Sequence, residues 1–312
     1  MPAAPDSAAS ARVGLSAVII SVDETTPRLL AVEGPGGREA LPSTYLDDRK
    51  DRTLEQGVRR LVGSEIGVPV RYFEQLYTFG NRGRTPGGRE VAVAYLALAR
   101  YQAVHGPRNP SWRNCYELFP WEDWRDGRPR MLDEIILPVL EQWLAGAGRG
   151  ELPTRRERAE VTFGLGHARW DPVRVLDRYE LAYELELVGE AKTAKDGAGP
   201  GLGLPLVLDH RRIAAAALER LRGKLAYRPV VFEVLPETFT LSRLQQVVEA
   251  LAGQVLHKQN FRRLVASANL VEPTGEWDQR TGGRPAELYR FRREVLTERP
   301  APGLGLRRLG GP

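Results

Sequence analysis

The side chains best suited to reading a duplex lie near the end of the chain, where Lys258, Gln259, Arg262 and Arg263 recur at helical spacing. Over 257–268, about 100° per residue puts Phe261, Leu264, Val265 and Ala268 on one side of a helix. Gln259, Arg262, Arg263 and Ala266 fall opposite, with Lys258 flanking them. Gln and Arg bond base edges bidentately, and Lys and Arg hold phosphates. Upstream, Leu241, Leu244, Val247, Val248 and Leu251 form the apolar stripe of a preceding helix, with Thr240 as its N-cap and Gly253 as its stop. Downstream, the strand-like segments 269–272 and 287–292 flank a turn containing Arg280, Thr281, Gly282 and Arg284, which carries two guanidinium groups and little bulk. Two short helices followed by a basic hairpin is the layout of a winged helix-turn-helix.

A protein-docking module would share that layout, because most charged helix faces are simply solvated. The charge distribution favours a polyanion. Residues 236–312 hold 12 Lys+Arg against 8 Asp+Glu, whereas the preceding residues are nearly balanced, so most of the net charge of +5 sits on the one segment with a DNA-reading layout.

The elements that position these residues fill the rest of a 312-residue chain, 42% hydrophobic and 27% charged, long enough for about two domains. No apolar run approaches the roughly 20 residues of a membrane span, and the first residues lack the basic-then-apolar order of a signal peptide, so the expectation is a cytoplasmic protein. The single cysteine, Cys115, excludes an internal disulfide and a thiolate metal cluster and reads as a buried small hydrophobe.

Sheet comes first: 14–22 and 28–32 are apolar strands joined across a turn-rich connection. Thr53 opens a helix with a reciprocal capping pattern; Leu54, Val58, Leu61, Val62 and Ile66 are its stripe, and Gly67 stops it. Strands at 70–79 and 91–98 bracket a basic, glycine-rich loop at 80–89. Residues 105–130 are rich in Trp and Pro, and 131–144 reads as a helix kinked by Pro138. Asp171 and Pro172 start a further helix whose expected face is Val173, Leu176, Tyr179, Tyr183 and Leu187. Residues 192–203 read as a linker, Asp209 as the cap of a helix to about Leu225, and 229–236 as the lead into the winged helix.

The order hairpin, strand, capped helix ending in Gly67-Val68, strand, basic loop, strand, helix resembles the Nudix hydrolase fold. That family carries a GX5EX7REUXEEXGU signature, whose helix clusters carboxylates to hold Mg²⁺ against a substrate diphosphate. Aligned on Gly67-Val68, this chain keeps Arg60, Val62 and Glu65, but Leu61 and Ser64 stand at acidic positions, and Arg52 and Leu46 replace the earlier Glu and Gly. Mg²⁺ needs near-octahedral oxygen ligation, which a lone Glu65 does not supply. Glu65 reads equally as an ion-pair partner at a helix end, and Asp47, Asp48 and Asp51 are near enough in sequence to substitute from the loop.

A degenerate Nudix domain followed by a winged helix resembles the Nudix-related transcriptional regulators of NAD metabolism, in their longer proteobacterial branch. The resemblance rests on 78–84 with 91–98, on 209–213, 218–229 and 239–242, and on Asn260-Phe-Arg-Arg with 282–291. It leaves about 105–205 as an insertion. It implies an α+β chain: a Nudix-like α/β/α sandwich with a helical insertion over 1–235, sensing an effector and dimerising, then a winged helix-turn-helix over 236–312. It further implies a homodimeric repressor of NAD biosynthesis or salvage genes, with double-stranded operator DNA as partner and no catalytic residue, metal or cofactor. The regulatory ligand it implies is ADP-ribose, NAD or a related pyridine nucleotide metabolite. DNA residues are then Lys258, Gln259, Asn260, Arg262, Arg263, Arg280, Thr281, Gly282 and Arg284, and ligand residues Arg60, Glu65, Tyr77, Arg82, Arg84 and Arg89. A cleft stripped of metal carboxylates but keeping arginines would bind phosphate without cleaving it; the alternative for those arginines is a solvated loop. The rival readings are an active Nudix pyrophosphatase acting on ADP-ribose or a related nucleoside diphosphate, and a winged-helix protein whose first domain only dimerises.

Overall fold

The structure is a computed structural model and describes residues 11–82, 84, 88–191, 201–279, 285–298 and 302–304. Unbroken apolar stretches make the central strands. β1 (Arg12–Asp23) turns at Glu24 and Thr25 into β2 (Thr26–Glu33), and these pair antiparallel as the hairpin expected from sequence. Two short strands follow, β3 (Glu39–Ala40) and β4 (Ser43–Tyr45), then α1 (Leu54–Arg60), β5 (Tyr72–Phe79), β6 (Glu90–Leu98) and β7 (Ser111–Asn114). The sheet order is β3-β2-β1-β6-β5, with β4 on β1 and β7 on β2; β1 and β6 run parallel, and the other pairs are antiparallel.

The two faces of β1 serve different layers because strand side chains alternate. Leu15, Ala17 and Ile19 pack with Val58, Leu61 and Val62 beneath α1, while Val18, Ile20 and Val22 join the larger core on the other side. That larger core holds α2 (Cys115–Leu118), α3 (Leu137–Ala145), α4 (Leu152–Phe163), α5 (Val175–Glu184) and α6 (His210–Leu225). It continues without a break into β8 (Thr238–Phe239), α7 (Leu241–Ala252), α8 (Lys258–Ala268), β9 (Val271–Asp278), β10 (Ala286–Phe291) and α9 (Val295–Glu298). β8, β10 and β9 form a three-stranded antiparallel sheet, and α7 rests against β1 and β2.

Local signals account for the first and last thirds. The Thr53 hydroxyl accepts from the Gln56 N–H at 3.1 Å, and the Gln56 amide oxygen accepts from the Arg52 N–H at 3.0 Å, one residue earlier than a strict reciprocal box. After Arg60 the helix widens to a π turn over Leu61–Ile66 and closes at left-handed Gly67. The Thr240 hydroxyl caps the Arg243 N–H at 3.1 Å, and Gly253 ends α7 at φ 71°. Cys115 is buried, as expected.

The middle departs from expectation in several places. α4 carried no recognised signal, since its sequence is dominated by Arg and Glu and it buries only Ala159, Thr162 and Phe163. The segment 131–144 is helical as expected, but it widens to a π turn over Leu132–Ile136 that runs directly into α3, and Pro138 follows that turn. α5 starts at Val175, after an Asx turn in which the Asp171 carboxylate accepts from the Val173 N–H. It buries Val175, Arg178, Tyr179, Leu181 and Ala182, leaving Tyr183 47% exposed, because Arg178 is drawn inward by a buried carboxylate. Of the expected linker, 192–200 lies outside the described residues, and Leu202 is packed, donating its N–H to the Leu187 carbonyl at 2.7 Å. Asp209 makes no capping bond to α6; its carboxylate takes Arg84 instead.

Candidate nucleic-acid interface and effector clefts

α8 presents the strip expected of it. Phe261 and Val265 are buried, whereas Lys258, Gln259, Asn260, Arg262 and Arg263 are exposed. No ion pair commits these cations among the described residues; Arg263 meets only the Asn260 side-chain oxygen, at 3.3 Å. The α7–α8 turn exposes Val255 beside this face. β9 and β10 extend the expected strands to 271–278 and 286–291, with a register shift between Glu287 and Tyr289. Arg280, Thr281, Gly282 and Arg284 lie outside the described residues. Trp277, 54% exposed on β9, is an aromatic of this hairpin that sequence reasoning passed over, although a lone Trp among polar residues was its signal.

The carbonyl end of α7 is gripped by residues of the insertion and of α6. The Tyr116 hydroxyl donates to the Ala250 carbonyl at 2.6 Å, Arg222 Nε to the Leu251 carbonyl at 3.1 Å, and the Trp124 N–H to the Gly253 carbonyl at 2.8 Å. Gly253 is required here twice over: its φ is left-handed, and a Cβ would run into the Glu122 carbonyl and the Arg222 guanidinium. Beneath lies Glu122, fully buried, between Arg178 (2.5 and 2.9 Å) and Arg222 (2.5 Å). Burial alone would raise the Glu122 pKa; the two guanidinia outweigh it and hold the carboxyl below its usual range. Arg178 also stacks on Trp170, 3.8 Å from the ring centre. On the opposite side of α7, Arg243 donates to the Glu24 carbonyl in the β1–β2 turn.

The six expected ligand residues divide among separate places. Arg60 and Glu65 meet each other at 3.2 Å, but both are occupied. Arg60 forks onto Asp51 with two bonds of 2.8 Å, and Asp51 Oδ2 also accepts the Asp47 N–H at 2.9 Å. Those arginine bonds lower the Asp51 pKa to about 2. Arg108, absent from the sequence expectation, approaches Glu65 to 4.0 Å and donates to the Ser43 carbonyl at 2.8 Å. Guanidinium groups therefore take up Asp51 and Glu65, and among the described residues no group of three or more His, Cys, Asp or Glu is placed to hold a metal ion. The residues do not fit Mg²⁺.

Arg84 was expected on an open basic loop and is instead buried, pairing with Glu90 and, at 2.8 Å, with Asp209. Two carboxylates at one guanidinium neutralise it, so Arg84 holds the loop to β6 and the start of α6. Arg82 is exposed and lines a cavity with residues of α4, α5 and α6. Tyr77, 45% exposed under Arg220, and Arg89, exposed at the start of β6, do not line that cavity.

A mixed sheet flanked by helices, joined to two helices and a hairpin whose cationic face is unpaired among the described residues, defines a winged-helix protein with a sheet domain attached. Residues 231–291 match the family model of the NrtR DNA-binding winged helix domain. The chain is 24% identical over 277 residues to the ADPR responsive transcriptional repressor NtrR of Acinetobacter baylyi, covering 88% of this chain and 79% of that protein. Among solved structures it is similar to Shewanella oneidensis NrtR complexed with a 27mer DNA, with TM-score 0.57 and 24% identity over 91% of this chain and 95% of that one. It is also similar to a MutT/nudix family protein from Enterococcus faecalis, with TM-score 0.55 and 18% identity over 93% of this chain and 90% of that one. The chain is thus a Nudix-like α+β fold ending in an NrtR-type winged helix. No described helix is long and apolar enough to cross a membrane.

Proposed function

We propose that this protein is a DNA-binding repressor of NAD biosynthesis or salvage genes whose Nudix-like domain senses an NAD-related metabolite without hydrolysing it. The observation that carries this reading is the uncommitted cationic face of α8 within a segment matching a DNA-binding winged helix. The Acinetobacter relative responds to ADP-ribose by its name, which supports ADP-ribose as the effector to test first. The absence of catalysis is supported by Arg60 and Arg108, which occupy the surroundings of Asp51 and Glu65. A homodimer, with two heads on half-sites about 34–36 Å apart, is the arrangement in which a small movement costs contacts. The grip on α7 from Tyr116 and Trp124 of the insertion and Arg222 of α6 supports transmission of such a movement from the sheet domain.

The test is fluorescence anisotropy of the full chain on the DNA upstream of its own operon and on a scrambled duplex of equal length, with and without ADP-ribose. Preference for the upstream fragment by at least about 100-fold, changed several-fold by ADP-ribose, is expected. Equal binding to both duplexes overturns the repressor reading. Release of AMP from ADP-ribose in the presence of Mg²⁺, abolished by Glu65→Gln, overturns the non-catalytic one.

A further inference from the structure

A few residues beyond α9 the chain comes back to the end of α6. Pro302 and Leu304 are buried, Leu304 to 1% exposure, and the Leu304 side chain belongs to the core that α6, α7 and α8 share. Its N–H donates to the Leu225 carbonyl at 3.4 Å. Gly303 lies so close to α6 that a Cβ there would run into the Tyr227 backbone and the Ala226 carbonyl. Glycine alone admits that approach. We infer that segment 302–304 is a return strap that fixes the winged helix to the end of α6, which makes Gly303 and Leu304 positioning residues for the DNA contact of α8. The inference rests on the DNA-binding reading above and names what holds the head in place.

The anchor is itself fixed. Glu74 on β5 pairs with Arg220 at 3.0 Å and with Lys224 at 2.9 Å, so the last turns of α6 are tied to the sheet. Between them Arg222 is committed to Glu122 and to the Leu251 carbonyl. The head, by contrast, has an open side. A cavity of about 680 Å³ lies between the end of β6 and the pair β10 and α9, with Arg71, Arg100, Glu237, Arg293 and Leu296 among its walls. Arg100 and Glu237 face each other there at 3.7 Å with both side chains exposed, and an ion pair of that kind holds little. α7 is gripped at its carbonyl end, as described above; the strap holds the α9 side, where the cavity leaves the head without packing. Residues 226–236 lead from α6 into the winged helix, and the strap returns to the same helix end. A second attachment there resists the swivel that a lone connection between domains permits. Two heads strengthen each other on DNA only when their spacing lets both engage. A loosened head keeps its own base contacts and loses that gain.

Anisotropy titrations of the full chain on its operator, and on the same duplex with one half-site scrambled, test the strap. Gly303→Ala drives a methyl group into the end of α6, and Leu304→Ala removes the buried side chain. Each should raise Kd on the intact operator at least about tenfold and leave the one-half-site duplex within about twofold. Leu304→Met, which keeps the volume, should bind as the wild-type chain does. Wild-type affinity for the operator in both alanine variants overturns the positioning role. An equal loss on both duplexes overturns it too, because the segment would then support the fold of the head and not its placement. Hydrogen exchange of the unaltered chain adds a check that needs no variant: the Leu304 amide should exchange as slowly as the end of α6, and exchange at the rate of a free chain overturns the strap. A wild-type chain that binds the two duplexes equally overturns the two-headed reading, and the positioning role with it.

Discussion

Arginines of the winged helix and arginines of the sheet domain have the same charge and opposite fates. On α8, Arg262 and Arg263 face solvent without a carboxylate partner among the described residues. In the sheet domain, Arg60, Arg84, Arg178, Arg211 and Arg222 each hold at least one carboxylate. An uncommitted guanidinium is available to an external polyanion; a buried, paired one is part of the frame, and removing either partner leaves the other uncompensated in a low dielectric. Charge counted along a sequence does not separate these cases. Burial and partners do.

The largest effect expected from this contrast is at the committed extreme. Glu122→Ala leaves Arg178 and Arg222 buried without their shared carboxylate, and should cost about 3–5 kcal/mol in urea unfolding at pH 7. Because Arg222 also holds the Leu251 carbonyl of α7, hydrogen exchange at the end of α7 should quicken in the same variant. A loss under about 1 kcal/mol would mean that the cluster is solvated and that the contrast between the two sets of arginines fails.

A second test uses pH. His210, buried at the start of α6, accepts the Leu41 N–H through Nδ1 at 2.9 Å; burial first, and the Arg84 charge next, hold its pKa at about 4. The unfolded imidazole titrates near 6.5, so the folded state favours the neutral ring. Its contribution is complete above about pH 6.5 and is lost as pH falls toward 4, up to about 3 kcal/mol. The carboxylates paired with arginine, Glu122 and Asp51, lose their contributions only as pH falls below about 4, and Glu219, whose carboxyl pKa burial raises, acts in the opposite direction as pH falls, so a fall in stability from about pH 6.5 to 5 is assigned to His210. Unfolding midpoints measured at pH 7, 6 and 5 should fall in the wild-type chain and stay nearly level in His210→Gln. A level wild-type curve would show that the ring is not held neutral.

These committed networks mark the limit of what a one-dimensional reading reaches. The β1–β2 hairpin, the Thr53 cap, the Thr240 cap with its apolar stripe and the exposed face of α8 were all legible, because each depends on neighbours within a turn or two of helix. The partners of Arg84 lie 6 and 125 residues away, and the Glu122–Arg222 pair spans 100 residues. No local pattern encodes them. The face of α5 rotated for the same reason: Arg178 turned inward toward a carboxylate that the chain contributes from the aromatic stretch. Arg108 entered the surroundings of Glu65 from a loop that the family signature does not include, so the motif showed which carboxylates were missing but not what filled the space.

At the uncommitted extreme, Arg262→Ala and Arg263→Ala should leave stability within about 0.5 kcal/mol, as expected of surface positions. Each should weaken operator binding by about 1–3 kcal/mol if it reads a base. Arg280→Ala and Arg284→Ala in the hairpin should instead weaken specific and nonspecific binding together and lower the salt slope by about one unit each. Gel-shift titrations at three salt concentrations separate the two patterns. Unchanged affinity in all four variants removes α8 and the hairpin from the DNA interface.

The smallest effect sharpens the comparison most, because it concerns a cation that is exposed and lies outside the winged helix. Arg59 on α1 pairs with Glu55 at 2.8 Å, one helical turn earlier, with both side chains about half exposed, and its guanidinium lies 4.4 Å from the Phe73 ring centre. Such a pair adds about 0.3–0.5 kcal/mol and a solvated cation–π contact about 0.5–1 kcal/mol. Arg59→Ala should therefore cost no more than about 1.5 kcal/mol in stability. It removes the same unit of charge as Arg262→Ala, so a binding surface set only by net charge would respond equally to both. If position governs, Arg59→Ala leaves the operator Kd and its salt slope unchanged in the gel shifts that register Arg262→Ala. Equal losses in the two variants would mean that the sheet domain also lies on the DNA, and the division drawn here between committed and available arginines would have to be redrawn around α1.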